Sequence, residues 1–385
     1  MKIAAALLAT CVALLVGAAG VEVWTRAHWN DRKGVPGFFL SDPARLQRLS
    51  PGYSGWFAGV PVKIDQLALR DPREYALQKS ARTFRILVLG DSVTFGHGSV
   101  YEHTYPFLLE QQLKRWRPDV DWQVWNAAVP GYNTSQELAQ LLEVGPRFAP
   151  DLVVVGFYEN DFVDNYPVRP PGAVARARSA LLSWLYRHVY SIELYKRLYL
   201  QLAWHLSGNS SYHQRLVHVA EEEQLTAASG EIADLDAQKL TAFDELPDDR
   251  VAAAPCPSSP PAADLADAVQ HEPGFQYWVD AVRRFQQLNR LGAYRIVFFA
   301  NVVPFACREE DRFADGGSAA LNRFYMRYLG DGTPAVSVYE AFRRLRPSQM
   351  PFAEGHALGN ANLVKADVLF HYLRDAVLPP ILPTR

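Results

Sequence analysis

Between residues 85 and 161 the chain alternates two hydrophobic rhythms. "RILVLG", "WQVWNAAVPG" and "PDLVVVGFYEND" are short apolar runs that stop at polar or glycine turns. Between them, "TYPFLLEQQLKRW" and "SQELAQLLEVG" carry apolar residues at helical spacing, the second capped by Ser135. Strands alternating with helices predict parallel βαβ units. After residue 270 the alternation resumes. "GFQYWVDAVRRFQQLNRLG" reads as a helix stopped by glycine, "YRIVFFANVVP" as the most strand-like run in the chain, "PAVSVYEAFRRL" as the start of a strand, and "LVKADVLFHYLRDAV" as a closing helix. No internal repeat with a period of about 20 to 50 residues is present. The pattern predicts an α/β fold built on a mostly parallel sheet.

Three stretches depart from that rhythm. Residues 26–83 are rich in Pro, Gly and charge and read as an extended lead-in with a small strand or two, such as "VPVKI". At about residues 165–270, a long helical and aromatic run, "ARSALLSWLYRHVYSIELYKRLYLQLAWHL", precedes a Pro/Ala/Ser loop, "AAAPCPSSPPAAD". This region reads as an insertion rooted just after Asn160 and Asp161. Packing against the core is its plain role; a wall over the sheet end that selects substrate is its functional one. Residues 1–25 carry "IAAALLATCVALLVGAAGV", an uncharged stretch long enough to cross a bilayer, followed by Trp24 and Trp29 at interfacial positions. A single-pass membrane anchor and a cleaved signal peptide are the two readings, and both place the rest of the chain on the extracytoplasmic side.

The chain has 385 residues and a formal net charge of −2, so nucleic acid is not an expected partner. Of its three cysteines, Cys11 falls in the apolar segment. Cys256 and Cys307 remain as a disulfide pair or as two thiols. No Cys/His cluster has zinc-ligand spacing, and no metal or cofactor is expected.

In open α/β sheets, ligands bind outside the C-terminal ends of the strands. The strand exits here are distinctive. The first presents Gly90-Asp91-Ser92, and the second has Gly131 in "NAAVPGYNT". The third has Asn160 in "GFYEND", and "FAEGHALGN" sets Glu354 two residues before His356 ahead of the last helix. A hydroxyl, a glycine amide, a side-chain amide and a carboxylate–imidazole pair are the parts of acyl transfer. Serine needs a base, the base needs an orienting acceptor, and the oxyanion needs donors set in advance. The α/β-hydrolase elbow G-x-S-x-G is absent, because Thr94 stands where its second glycine would be.

These four blocks, in this order, resemble the SGNH (GDSL-like) esterase family over roughly residues 85–161 and 350–375. The resemblance implies a three-layer α/β/α, flavodoxin-like catalytic domain over residues 84–380. It implies that Ser92 is the nucleophile, His356 the base and Glu354 the carboxylate partner. It also implies an oxyanion hole made by the Ser92 N–H, the Gly131 N–H and the Asn160 side chain. Two features depart from the family pattern: Glu354 stands where Asp is usual, and extra residues separate Gly156 from Asn160.

Other polar residues near the blocks have plainer readings. Asp91 is read as a turn residue, Asp161 as the holder of the turn that aims Asn160, and Glu159 as a loop charge. His97 is read as a loop histidine, His103 and His371 as structural or solvated, and Arg70-Asp71 as a surface ion pair. The expected function is a membrane-anchored serine esterase acting on a small-molecule, glycan or lipid ester. An O-acyltransferase on an envelope polysaccharide uses the same chemistry, and a non-catalytic envelope glycan-binding protein is the reading from another class.

Overall fold

A computed structural model gives the architecture. It describes residues 2–29, 36–206 except 163, 193, 196–197, 200–201 and 203–205, and 265–382 except 308–309, 315, 331, 351 and 354–355.

Helix α1 (Lys2–Ala27) has no buried residue and is long and apolar enough to cross a membrane. Two hairpins follow: β1 (Phe39–Asp42) with β2 (Leu46–Leu49), and β3 (Ser54–Phe57) with β4 (Val60–Lys63). The second turns at Ala58 and Gly59, both at positive φ, the geometry of a tight two-residue hairpin loop. The lead-in is therefore more structured than its composition predicts. Phe38, Phe39, Leu49, Tyr53, Phe57, Val60 and Val62 form a core of their own with Phe95, Val129 and Tyr132 from the ends of the sheet. Runs of four residues are too short to show a period, so this core leaves little trace in the pattern.

Strand β5 (Thr83–Leu89) begins the main sheet. Helix α2 (Ser92–Phe95), α3 (Tyr105–Trp116), β6 (Asp121–Asn126), α4 (Thr134–Phe148) and β7 (Leu152–Phe157) follow. Beyond helix α5 (Ala173–His188), the sheet is resumed by α6 (Phe275–Arg290) and β8 (Ile296–Ala300). A small hairpin of β9 (Phe305–Cys307) and β10 (Arg312–Ala314) leads to α7 (Gly317–Leu329) and β11 (Ala335–Ser337). The chain closes with β12 (Phe352–Ala353), β13 (His356–Ala357) and α8 (Asn360–Tyr372). Five strands form the main sheet in the order β11-β8-β7-β5-β6, every pair parallel.

The central strands are buried on both faces, and alternate residues enter different cores. Leu87 and Leu89 of β5, with Val153 and Val155 of β7, meet Leu141 of α4, Phe285 of α6 and Tyr325 of α7. Ile86 and Val88, with Val154 and Phe299, meet Leu109 of α3 and Val364 of α8. This is the three-layer α/β/α arrangement.

Three local details go beyond the sequence pattern. Helix α4 is capped by Asn133, not Ser135. The Asn133 side chain accepts the Gln136 N–H while the Gln136 side chain accepts the Asn133 N–H, so two end donors are satisfied together. Helix α5, in the described part of the insertion, packs on the β1–β2 hairpin, where Ser179 and Ser183 both donate to the Ser41 carbonyl. The Pro/Ala/Ser loop lies outside the described residues. Cys307 is disulfide-bonded and Cys11 is free; Cys256 lies outside the described residues.

Candidate active site

Strand β5 ends at Gly90, whose φ of +157° lies outside the range that L-residues favour. A Cβ there would collide with the Thr94 side chain, as would one at Gly156 on β7. Thr94 is fully buried in the slot between the two glycines, where it accepts a hydrogen bond of 3.1 Å from the Tyr105 hydroxyl. The two glycines thus let α2 start flush against the sheet. Asp91 caps that helix, its carboxylate accepting the Val93 N–H at 2.9 Å, and Ser92 becomes the first helical residue. This is the turn role that the sequence assigns to Asp91.

Ser92 is 8% exposed, and its Oγ lies 2.8 Å from Nε2 of His356 on β13. The two residues are 264 positions apart. Glu354 lies outside the described residues. Gly131 sits in the turn after β6, at φ +77° and exposed. That turn is tied to the serine turn by the Val129 N–H, which donates to the Gly90 carbonyl at 3.0 Å. Asn160 lies in the 3₁₀ turn that leaves β7, and its Oδ1 is buried with no hydrogen-bond partner among the described residues. Asp161 holds that turn as expected: its carboxylate accepts the Tyr158 N–H at 3.1 Å.

Three residues do more than their sequence context predicts. His97 is buried, 2% exposed, and stacks on His356 with ring centroids 4.1 Å apart. Arg70 and Asp71 are not a surface ion pair, because both are about 1% exposed. Arg70 donates to the carbonyls of Phe95, Gly96 and Ser99, gathering the loop that follows α2. Asp71 accepts from Arg73, Tyr75 and Tyr101. No periodicity marks these residues, because His97 meets His356, Arg70 meets the Phe95–Ser99 loop and Asp71 meets Tyr101, all distant in sequence.

Close to the serine turn lies a cluster of buried titratable groups. Glu137 of α4 and Asp161 are fully buried. Burial, then the charges of Asp161 and Asp91, holds the Glu137 carboxyl well above its ordinary range. Burial and Asp91 do the same to Asp161. Glu159, read as a loop charge, is also raised by burial. Lys365 of α8 is fully buried, and its Nζ has no hydrogen-bond partner among the described residues. Burial pushes its ammonium down to about 7, with Asp91 opposing.

Comparison with known proteins decides the family. The model of the GDSL-like lipase/acylhydrolase family matches residues 88–355. The chain belongs to this family. Its match thus runs from the end of β5 to the residue before His356 and takes in every oxyanion candidate. An arylesterase from Vibrio mimicus is 34% identical over 83 residues, a match covering 22% of this chain and 40% of the relative. Among solved structures, a catalytic mutant of an acetylxylan esterase from Geobacillus stearothermophilus aligns at 11% identity over 78% of this chain and 97% of that one, with a TM-score of 0.40. A GDSL-like lipase from Bacteroides thetaiotaomicron aligns at 12% identity over 76% of this chain and 88% of that one, with a TM-score of 0.32.

Proposed function

We propose that this member of the GDSL-like family is a serine esterase, held at a membrane by α1, that cleaves a carboxylic ester through an acyl-Ser92 intermediate. The hydrogen bond between Ser92 Oγ and His356 Nε2 carries the reading. A hydroxyl is a weak nucleophile until a base within hydrogen-bond reach takes its proton, and imidazole titrates in the right range.

In the forward step, the Ser92 Oγ attacks the ester carbonyl and its proton passes to His356 Nε2. The oxyanion so formed takes hydrogen bonds from the Ser92 N–H, the Gly131 N–H and the Asn160 side-chain amide. Collapse breaks the C–O bond to the alcohol, which leaves with the proton from His356. A water molecule then attacks the acyl-serine, gives its proton to His356, and releases the acid and free Ser92. Glu354 would accept the His356 Nδ1–H, fixing the tautomer and stabilising the cation. A small-molecule, glycan or lipid ester is the substrate class. With a sugar hydroxyl in place of water, the same intermediate would give acyl transfer.

The test is covalent labelling with a fluorophosphonate, followed by single-turnover decay of the acyl-enzyme. Wild type should label at Ser92 and hydrolyse a short-chain aryl ester, and Ser92→Ala should do neither while keeping its thermal unfolding transition. Full activity in folded Ser92→Ala would end the proposal. Decay that accelerates only when glycan is added would convert it to a transferase.

A further inference from the structure

The described part of the insertion carries a feature that the ester chemistry does not use. A cleft of about 450 Å³ opens between α5 and the β1–β2 hairpin. Arg48, Arg176 and Arg187 line it, together with Trp184 and His188, and no Asp or Glu is among its lining residues. Among the described residues, none of the three arginines pairs with a carboxylate. Arg187 donates to the Ser50 hydroxyl at 3.0 Å and the Pro51 carbonyl at 3.1 Å, and Arg176 to the Pro171 carbonyl at 2.6 Å. Burial, and then the nearby charge of Arg48, holds the Arg187 guanidinium below its usual value. Like-charged guanidinium groups that converge on a cleft without an acid form a socket for an anion with several acceptor oxygens.

The position of the cleft narrows the choice of anion. The C-terminal end of α1 is fastened to the C-terminal end of α5. Arg26 donates to the His188 carbonyl at 2.7 Å, and its guanidinium lies over the Tyr190 ring at 4.3 Å. Glu22 accepts from the Tyr190 N–H and from the Ser191 N–H and hydroxyl. His188 belongs to both this joint and the cleft. The cleft therefore begins where the apolar run of α1 ends, which is headgroup depth for any bilayer that α1 spans. Apolar side chains stand exposed on both elements: Trp24 at 59% on α1, and Trp184 at 55% and Leu181 at 60% on α5. Aromatic and aliphatic side chains beside arginines are the composition of an interfacial surface.

We propose that this cleft binds the phosphate headgroup of an anionic phospholipid in the leaflet where α1 ends. The inference rests on the reading of α1 as a membrane anchor. Headgroup capture would set the catalytic domain at a fixed attitude to the bilayer, which one helix alone cannot do.

The test uses the full chain in neutral detergent micelles, titrated with phosphatidylglycerol, phosphatidylcholine or inorganic phosphate. Bound lipid is counted by native mass spectrometry, and thermal unfolding is followed in parallel. Phosphatidylglycerol should be retained and should raise Tm, and the other two should not at equal concentration. Arg48→Gln should weaken phosphatidylglycerol binding by about fivefold, and Arg48→Gln with Arg187→Gln by roughly 25-fold. Hydrolysis of a soluble ester should be unchanged in both. The Arg48 side chain makes no hydrogen bond among the described residues, so the single variant keeps the test open if the double variant unfolds. Equal retention of both lipids, an equal Tm gain from inorganic phosphate, or binding indifferent to Arg48 overturns the proposal. Release of the chain from cell membranes by carbonate overturns the anchor itself. Carbonate resistance with no lipid preference overturns the cleft alone.

Discussion

His97 lies face to face with His356, the ring centroids 4.1 Å apart and the planes 22° from parallel. Phe57, from the second lead-in hairpin, meets the His97 ring edge-on at 5.4 Å. The lead-in core thus reaches the proposed base through one intermediate ring. His97 is a positioning residue in this reading, because it touches His356 and not the reacting atoms. His97→Ala should lower kcat by about 10- to 100-fold with little change in KM, because a small misplacement of the base is costly. His97→Phe keeps a flat ring and should restore most of the loss. Steady-state kinetics on the two variants separates positioning from chemistry, since a proton-carrying role for His97 would leave the Phe variant as slow as the Ala variant.

His356 should matter more than Glu354. The imidazole moves the proton, and a carboxylate partner only orients and stabilises it. His356→Ala should reduce kcat/KM by on the order of 10⁴- to 10⁶-fold, and Glu354→Ala by at least about tenfold less. A reversed order in the measured kcat/KM values would exchange the two roles.

Asn160, in the 3₁₀ turn that leaves β7, is proposed as an oxyanion donor through its side-chain N–H. Asn160→Ala should lower kcat by about 100- to 1000-fold with KM nearly constant, the pattern of an interaction made in the transition state. An effect confined to KM would move Asn160 from the oxyanion hole to substrate binding.

Arg70 supports the serine loop through three backbone carbonyls. Arg70→Met fills similar space but leaves those buried acceptors without their donor. The expected destabilisation is about 2–5 kcal/mol in denaturant unfolding, together with reduced activity. Arg70→Lys should recover only part of it, since an ammonium cannot reproduce the fork of the guanidinium. A change below about 0.5 kcal/mol, typical of a surface site, would show that the loop does not depend on Arg70.

The buried acids make stability depend on pH in a defined direction. Glu137 titrates well above its unfolded value in the native state, through burial, Asp161 and Asp91. Its contribution is fully present below the unfolded pKa, near 4.5, and is lost as pH rises toward the native value. Glu137→Gln removes that loss. Thermal melts should show the variant close to wild type at pH 4 and progressively more stable than wild type as pH rises to 8. A constant difference across this range would mean that Glu137 keeps the same proton affinity in both states.

The alternation of apolar runs and amphipathic stretches was enough to establish a parallel α/β sheet. Ile86 and Val88 must face one helical layer and Leu87 and Leu89 the other, because a strand's period of two permits nothing else. The blocks carrying Ser92 and His356 were legible as candidates, and the fold brings these two side chains together; Gly131 and Asn160 remain proposed oxyanion donors. Local signals failed where a choice depended on a neighbour. Ser135 and Asn133 are both good caps, and only Asn133 has Gln136 at the reciprocal position. Arg70 looks like a surface charge until β5 and its exit loop close around it. The hydrogen bond between Ser92 and His356, the stacking of His97 on His356 and the burial of Lys365 beside Asp91 were decided by tertiary structure alone. Periodicity records which face of an element avoids water, because burial repeats with the geometry of the chain. It holds no record of which polar side chain from a distant element will arrive at that face, because that meeting is settled only when the chain closes on itself.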